Sequence, residues 1–292
     1  MQLFVNDLTV IDFSYLSSQR GVVGESWIVD VTLSGDLNAE SMVLDFGIVK
    51  KQIKAIIDDA VDHKLVLPIK DTNVQVSESV RSDHLYVDFD APGFEMYLQS
   101  PSQAFVQLDC AEINEENVTR YLEKVIKQQL PENVQGISLH LRAENIVGDY
   151  YHYTHGLKKH DGNCQRIAHG HRSPIHLYKD GTRDLELERY WCTRWRDIYL
   201  ASESDRATID EIELSANAKV ALKPEHQYFS YYAPQGRFDI AVLSSRLDVV
   251  DCDSTVELLA DFIARQLKQR HPEANFKVVA FEGVGKGAIA NA

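Results

Sequence analysis

Positive charge is what this sequence is shortest of: 30 lysines and arginines face 44 aspartates and glutamates, a formal net charge of −14 over 292 residues. A general nucleic-acid binder presents a basic face to phosphates, so that partner class is set aside. A small anionic ligand held by local basic residues is not excluded. Long apolar runs are also missing. No stretch approaches the roughly 20 residues that cross a bilayer, and the opening MQLFVNDLTVIDFSY has no basic region leading into an apolar run and a cleavage site. The expectation is a cytosolic protein with no membrane partner. Cysteine is scarce as well. Cys110, Cys164, Cys192 and Cys252 show no CxxC spacing, and a chain of this length needs no covalent staples, which points to free thiols.

What is present is an ordinary globular composition, 44% hydrophobic and 25% charged, in a chain long enough for two domains. A repeat divides it. GFEMYL (93–98) leads through Asp109-Cys110 to ENVTRYLEKVIKQQLPENVQGISLHLRAEN, and GRFDIAVL (236–243) leads through Asp251-Cys252 to STVELLADFIARQLKQRHPEANFKVVAFEG. Both read strand, helix, strand. Val118, Leu122, Val125 and Ile126 make one helical stripe, and Val256, Leu259, Ile263 and Leu267 another. Asn114 and Ser254 stand where N-caps are useful, and Pro131 and Pro272 where helices stop. WIVDVTLSG (27–35) alternates as a strand of a hairpin, and 48–60 carries apolar residues at helical spacing. The stretch HLYKDGTRDLELERYWCTRWRDIYLA reads instead as an extended hairpin, so there the halves diverge. The predicted fold class is α+β: two domains, 1–148 and 149–292, meeting near Gly148-Asp149, each an antiparallel sheet with two helices on one face.

The segment YYHYTHGLKKHDGNCQRIAHGHRS (150–173) concentrates histidine. If His169-Gly170-His171 begins a strand, its two imidazoles share a face, and His155 on the preceding strand offers a third nitrogen. Three histidines with an open fourth position suit a catalytic zinc. An HxH pair by itself is more often a surface or core feature than a ligand pair. Cys164, beside Gly162 and Asn163, suits a reactive thiol whose pKa nearby cations lower, although from spacing alone a zinc ligand or an idle thiol is equally open. Lys158, Lys159, Arg166 and Arg172 crowd the same segment, either as solvated charges or as receivers of phosphate.

Tyr151 to His155, Cys164 and His169-Gly170-His171 together resemble the 6-pyruvoyl/6-carboxytetrahydropterin synthase family, whose pattern is F-x-x-x-H, a loop with the catalytic cysteine, then HGH. The first half resembles the same family without its metal: FSYLS (13–17) puts Ser17 where the first histidine ends, and Val23 and Glu25 replace the HGH histidines. MVLDFGIVKK (42–51) and AVDHKLVLP (60–68) resemble the family's MVxDFxxLK and DHxxLN, which carries the proton-transfer pair over to Asp62 and His63. AFEG resembles the strand holding the pterin-anchoring glutamate, here Glu282, with Glu144 its first-half counterpart. Residues 180–235 lack the second-half Asp-His element, and His226 is a poor substitute for it.

The resemblance implies two tunnelling-fold (T-fold) domains in tandem, the second binding Zn2+ through His155, His169 and His171. It implies sheets joined edge to edge in a homo-oligomer, and sites that lie between subunits. The implied activity is that of a 6-carboxytetrahydropterin synthase-like carbon–oxygen/carbon–carbon lyase. Its substrate would be the small-molecule pterin triphosphate 7,8-dihydroneopterin triphosphate. Its product would be 6-carboxytetrahydropterin, toward deazapurine nucleosides such as queuosine, or 6-pyruvoyltetrahydropterin. Cys164, Asp62 and His63 would move protons, Glu282 would hold the ring, and Lys158, Lys159 and Arg166 would receive the triphosphate. The alternatives are a non-catalytic zinc- and pterin-binding or regulatory protein of the same fold, and a structural partner whose histidines are incidental.

Overall fold

The computed structural model describes residues 1–159 and 166–292. The first half opens with a long hairpin, β1 (Gln2–Ser17) and β2 (Gly21–Gly35). Period-two alternation puts Ile11, Phe13, Tyr15, Val23, Trp27 and Val29 in one buried cluster. Asp12, Ser14 and Ser26, which alternate with them, are buried polar residues. A helical run over 46–60 follows (α1), α-helical at Phe46–Ile48 and Lys54–Ala60 with a π turn at Val49–Ile53. Next come β3 (Leu65–Pro68), β4 (Val74–Glu78), β5 (His84–Phe89), β6 (Met96–Pro101) and β7 (Phe105–Leu108). Helix α2 (Glu115–Lys127), whose N-cap Asn114 accepts from the Asn117 amide, and β8 (Val134–Ala143) complete the half.

The second half repeats this order. Its hairpin is β9 (Tyr150–His155) and β10 (His169–Lys179), extended by β11 (Thr182–Arg183). Then come α3 (Leu185–Arg194), β12 (Ile198–Ser202), β13 (Arg206–Ala207), α4 (Ala216–Ala221), β14 (His226–Ala233), β15 (Gly236–Leu243) and β16 (Leu247–Val250). Helix α5 (Val256–Arg270), β17 (Phe276–Phe281) and β18 (Gly287–Asn291) end it. No helix among the described residues is long and apolar enough to cross a membrane.

The expected extended hairpin over 176–201 is a correction. Only its tip pairs, Tyr178 with Arg183 and Lys179 with Thr182, before α3 begins under its N-cap Asp184. Glu188, Trp191, Cys192 and Trp195 recur at helical spacing and are all buried. The stripe hides in the sequence because one of its members is a glutamate, and the aromatic residues beside it favour strands. Glu188 is tolerated inside because Arg183 grips its carboxylate at 2.7 and 3.0 Å and the Leu177 amide donates to it.

Each half thus sets two helices against its own hairpin sheet. The strand orders match, β7-β3-β1-β2-β8 and β16-β12-β9-β10-β17-β18. The hairpins and the β8 and β17 sides are antiparallel, whereas β3, β7, β12 and β16 pair in parallel. Parallel neighbours arise because long crossovers separate the paired strands, through α1 and α3 for β1–β3 and β9–β12 and through strands of the third sheet for β3–β7 and β12–β16. A third sheet, β13-β14-β15-β6-β5-β4, is built from both halves, which join where β15 pairs antiparallel with β6.

The halves also meet where their hairpins cross. Gly24 lies opposite Ser14, and Gly170 opposite Thr154. Ser14 Oγ and Thr154 Oγ1 are 2.8 Å apart. A Cβ on Gly24 would stand 1.9 Å from the Tyr153 carbonyl oxygen, and one on Gly170 would stand 2.6 Å from Gly24 Cα. Residues at equivalent positions thus meet one another, as residues on a two-fold axis do.

Candidate metal centre

β9 and β10 bring three imidazoles together. His155 ends β9 opposite His169, and His171 follows two residues along β10, facing Tyr153. Their ring centroids lie 4.3 to 5.6 Å apart, and one ligand atom from each falls within 4.8 Å of the others. His155 Nε2 and His171 Nε2 are 3.5 Å apart. Nitrogens about 2.0–2.1 Å from a tetrahedral ion are roughly 3.4 Å from each other, so this spacing fits. All three rings are buried. Burial, reinforced by the neighbouring histidines, pushes His155 and His169 well below the ordinary imidazole range, toward the neutral form that binds metal.

A hydrogen bond orients the His155 ring. Ser254 Oγ donates to the Gly156 carbonyl at 2.7 Å and lies 2.9 Å from His155 Nδ1, from which it accepts, leaving the His155 Nε2 lone pair free to bind. Ser254 is therefore not the N-cap of α5. Thr255 holds that position, without a side-chain hydrogen bond. His169 Nδ1 and His171 Nδ1 are buried with no hydrogen-bond partner among the described residues.

The first half reaches this centre. His63, in the left-handed region at φ 56°, lays its ring 5.1 Å from that of His169. Its amide donates to the Asp12 carbonyl at 2.7 Å. Asp62 Oδ2 is 2.7 Å from His63 Nδ1, and Asp62 Oδ1 accepts from the Asp12 amide at 2.8 Å. Asp62 and His63 therefore face the second half's histidines within a single chain.

Glu282, at the end of β17, puts Oε1 3.8 Å from His171 Nε2. Lys286, in the same β17–β18 turn, reaches Asp12 Oδ2 at 3.0 Å, and Asp12 Oδ1 is 3.2 Å from His171 Nδ1. Burial would raise the Asp12 carboxyl, but His171, Lys286 and Ser26 hold it well below the usual carboxylate range. The carboxylates of Asp12, Asp62 and Glu282 outnumber the Lys286 ammonium by two, a deficit that a divalent cation among neutral imidazoles makes up. The residues fit a metal ion.

Other expected positions fare differently. Lys158 contacts Asp205 and Asp253, and Lys159 contacts Asp253 at 3.0 Å. Arg166 is 4% exposed, so the basic residues do not form one open cluster. Cys164 lies outside the described residues. Among the described cysteines, Cys110, Cys192 and Cys252 are free thiols.

One further reading of the sequence is corrected, and two are consistent with the structure. Hairpin register sets Tyr15, not Ser17, opposite Val23 as His155 is opposite His169. Ser17 instead pairs with Gly21 beside the turn. The second-half counterpart of His63 is Asp197, whose amide donates to the His152 carbonyl as that of His63 does to Asp12, at a similar φ of 51°. His226 packs on Tyr97 in the shared sheet, a separate location. The sequence reading missed Asp12, Ser254 and Lys286. Of these only Asp12 left a visible signal, a polar residue inside the apolar strand VIDFSY.

Residues 14–147 match the model of the family described as 6-pyruvoyl tetrahydropterin synthase. The matched half belongs to that family. The fold is accordingly the tandem T-fold form, and the matched residues hold Asp62 and His63 while the histidine triad lies beyond them. No curated protein matches the chain. A Plasmodium vivax 6-pyruvoyl tetrahydropterin synthase structure is 15% identical over 49% of this chain and 97% of its own, with a TM-score of 0.37. One from Plasmodium falciparum is 15% identical over 48% and 90%, with a TM-score of 0.39. These likenesses are too loose to bear on activity.

Proposed function

We propose that this chain is a zinc-dependent tetrahydropterin synthase of the 6-carboxytetrahydropterin type, a cytosolic lyase that acts on 7,8-dihydroneopterin triphosphate. The observation that carries the reading is the meeting of Asp62–His63, from the family-matched half, with the His155–His169–His171 triad of the other. Neither half alone supplies both. The division at Gly148-Asp149 follows from the same reading.

His155, His169 and His171 would hold zinc, which when bound polarises substrate oxygens. Asp62 Oδ2, 2.7 Å from His63 Nδ1, would accept its proton and so present His63 Nε2 as a proton acceptor near the histidine cluster. Cys164 is assigned the second proton transfer, and Glu282 the two parallel N–H bonds of the pterin's guanidine-like edge. Lys159, with its side chain 74% exposed, is the more accessible lysine for triphosphate, with Lys158 and Arg166 nearer the interior. Open edges such as β4 and β13 would be covered in a homo-oligomer.

Zinc-loaded protein incubated with 7,8-dihydroneopterin triphosphate should consume it and release a tetrahydropterin, detected by chromatography with fluorescence. His169→Ala should lose both metal and turnover, whereas Cys164→Ala and His63→Ala should keep zinc and lose turnover at least ~100-fold. Zinc and pterin binding without product would replace the lyase with the non-catalytic reading.

A further inference from the structure

We propose that Asp12, a residue of the half without metal ligands, is the positioning residue for the metal ligand His171 of the other half. The inference rests on the triad holding a metal ion. A histidine that binds metal through one ring nitrogen carries a proton on the other, and an acceptor there fixes both tautomer and ring orientation. His171 Nε2 lies 3.5 Å from His155 Nε2, and its buried Nδ1, which completes no hydrogen bond among the described residues, has Asp12 Oδ1 beside it at 3.2 Å.

The rest of Asp12 is also occupied by the site. Its side chain is 3% exposed. Ser26 Oγ donates to Oδ1 at 2.5 Å, and Lys286 Nζ lies 3.0 Å from Oδ2. Its amide and carbonyl bind Asp62 and the His63 amide. One residue thereby fixes a metal ligand and the backbone of the Asp62–His63 pair.

The hairpin crossing repeats this contact with the groups exchanged. By strand register, His152 is the counterpart of Asp12 and Glu25 that of His171. His152 Nδ1 and Glu25 Oε2 lie 3.7 Å apart, but His152 Nδ1 donates to the Gly24 carbonyl at 2.7 Å. The crossing thus places the same two positions together on both sides, and only on the metal side is the outer residue a carboxylate beside an imidazole.

The test is zinc titration of the full-length apo-protein against a chromophoric chelator, with the His171 Nδ1–H proton followed by NMR in the zinc form. Asp12→Asn should bind zinc roughly 10–100-fold more weakly and shift that proton upfield. If Asp12→Asn fails to fold, Ser26→Ala serves in its place, with an expected several-fold loss. His152→Gln should bind zinc as the wild type does. A folded Asp12→Asn or Ser26→Ala protein within twofold of wild-type affinity overturns the proposal. So does an equal loss in His152→Gln, which would mark general loosening of the crossing. Wild-type protein that takes up no zinc sinks the metal reading itself and the positioning role with it, a result distinct from unchanged affinity in the variants.

Discussion

Glu25 shows what the hairpin crossing costs where no metal is served. Its side chain is almost fully buried, and burial pushes its carboxyl up to about 7 despite the Ser26 amide and the guanidiniums of Arg172 and Arg20 nearby. Burial likewise drives His152 down to about 4, with help from Arg20. Between its ordinary 4.5 and about 7, the folded protein holds a proton on Glu25 that the unfolded chain releases. Stability attributable to Glu25 therefore falls as pH rises through that window, and the loss is complete above it. Glu25→Gln keeps the acceptor for the Ser26 amide and cannot ionise. Its stability relative to wild type should grow between pH 5 and pH 8 by up to about 3 kcal/mol, read from urea unfolding at each pH. Parallel pH profiles would show that Glu25 titrates normally.

At the scale of elements, the two hairpins explain why glycine occupies the middle of His169-Gly170-His171. In the family resemblance that glycine reads as part of a metal motif. In the fold it is the place where one hairpin passes the other, since a Cβ there would meet the Tyr153 carbonyl oxygen at 2.3 Å and Gly24 Cα at 2.6 Å. Backbone atoms held in two sheets cannot move aside. Gly170→Ala should therefore destabilise the protein by more than about 3 kcal/mol, and Gly24→Ala by a similar amount. Thermal unfolding of the apo-proteins would check this, and a melting temperature within 2 °C of wild type would refute it. Helix α5 shows the complementary case. Its apolar stripe predicts the helix and its buried face, yet Ser254, which looks like its cap, is taken by His155. Local preference is a weak prior when a tertiary partner competes for the same hydroxyl.

Over the whole molecule, the halves are joined among the described residues by β15 on β6, by the crossed hairpins, by a shared apolar cluster and by ion pairs such as Arg20–Asp197 and Arg81–Glu213. Separation would bare a strand edge and the buried polar faces of both hairpins. Residues 1–148 and 149–292 expressed apart should aggregate, and expressed together should recover one soluble, zinc-binding complex on size exclusion. A soluble 149–292 fragment with full zinc affinity would contradict this, and would leave Asp12 no part in the centre.

The sequence by itself determined the repeat, the two helices with continuous apolar stripes, the hairpin strands and the three clustered histidines, because each depends on periodicity or spacing within a few residues. It did not determine α3, whose stripe includes a glutamate satisfied only by Arg183 and the Leu177 amide in the folded chain. Nor could it determine which first-half residue stands opposite Val23, since register is set by pairing along the whole hairpin and not by a motif. Asp12 lies well over a hundred residues from His171 in sequence, and no spacing rule connects them. Only the crossing of two sheets, allowed by paired glycines at its centre, put a carboxylate from one half behind an imidazole of the other.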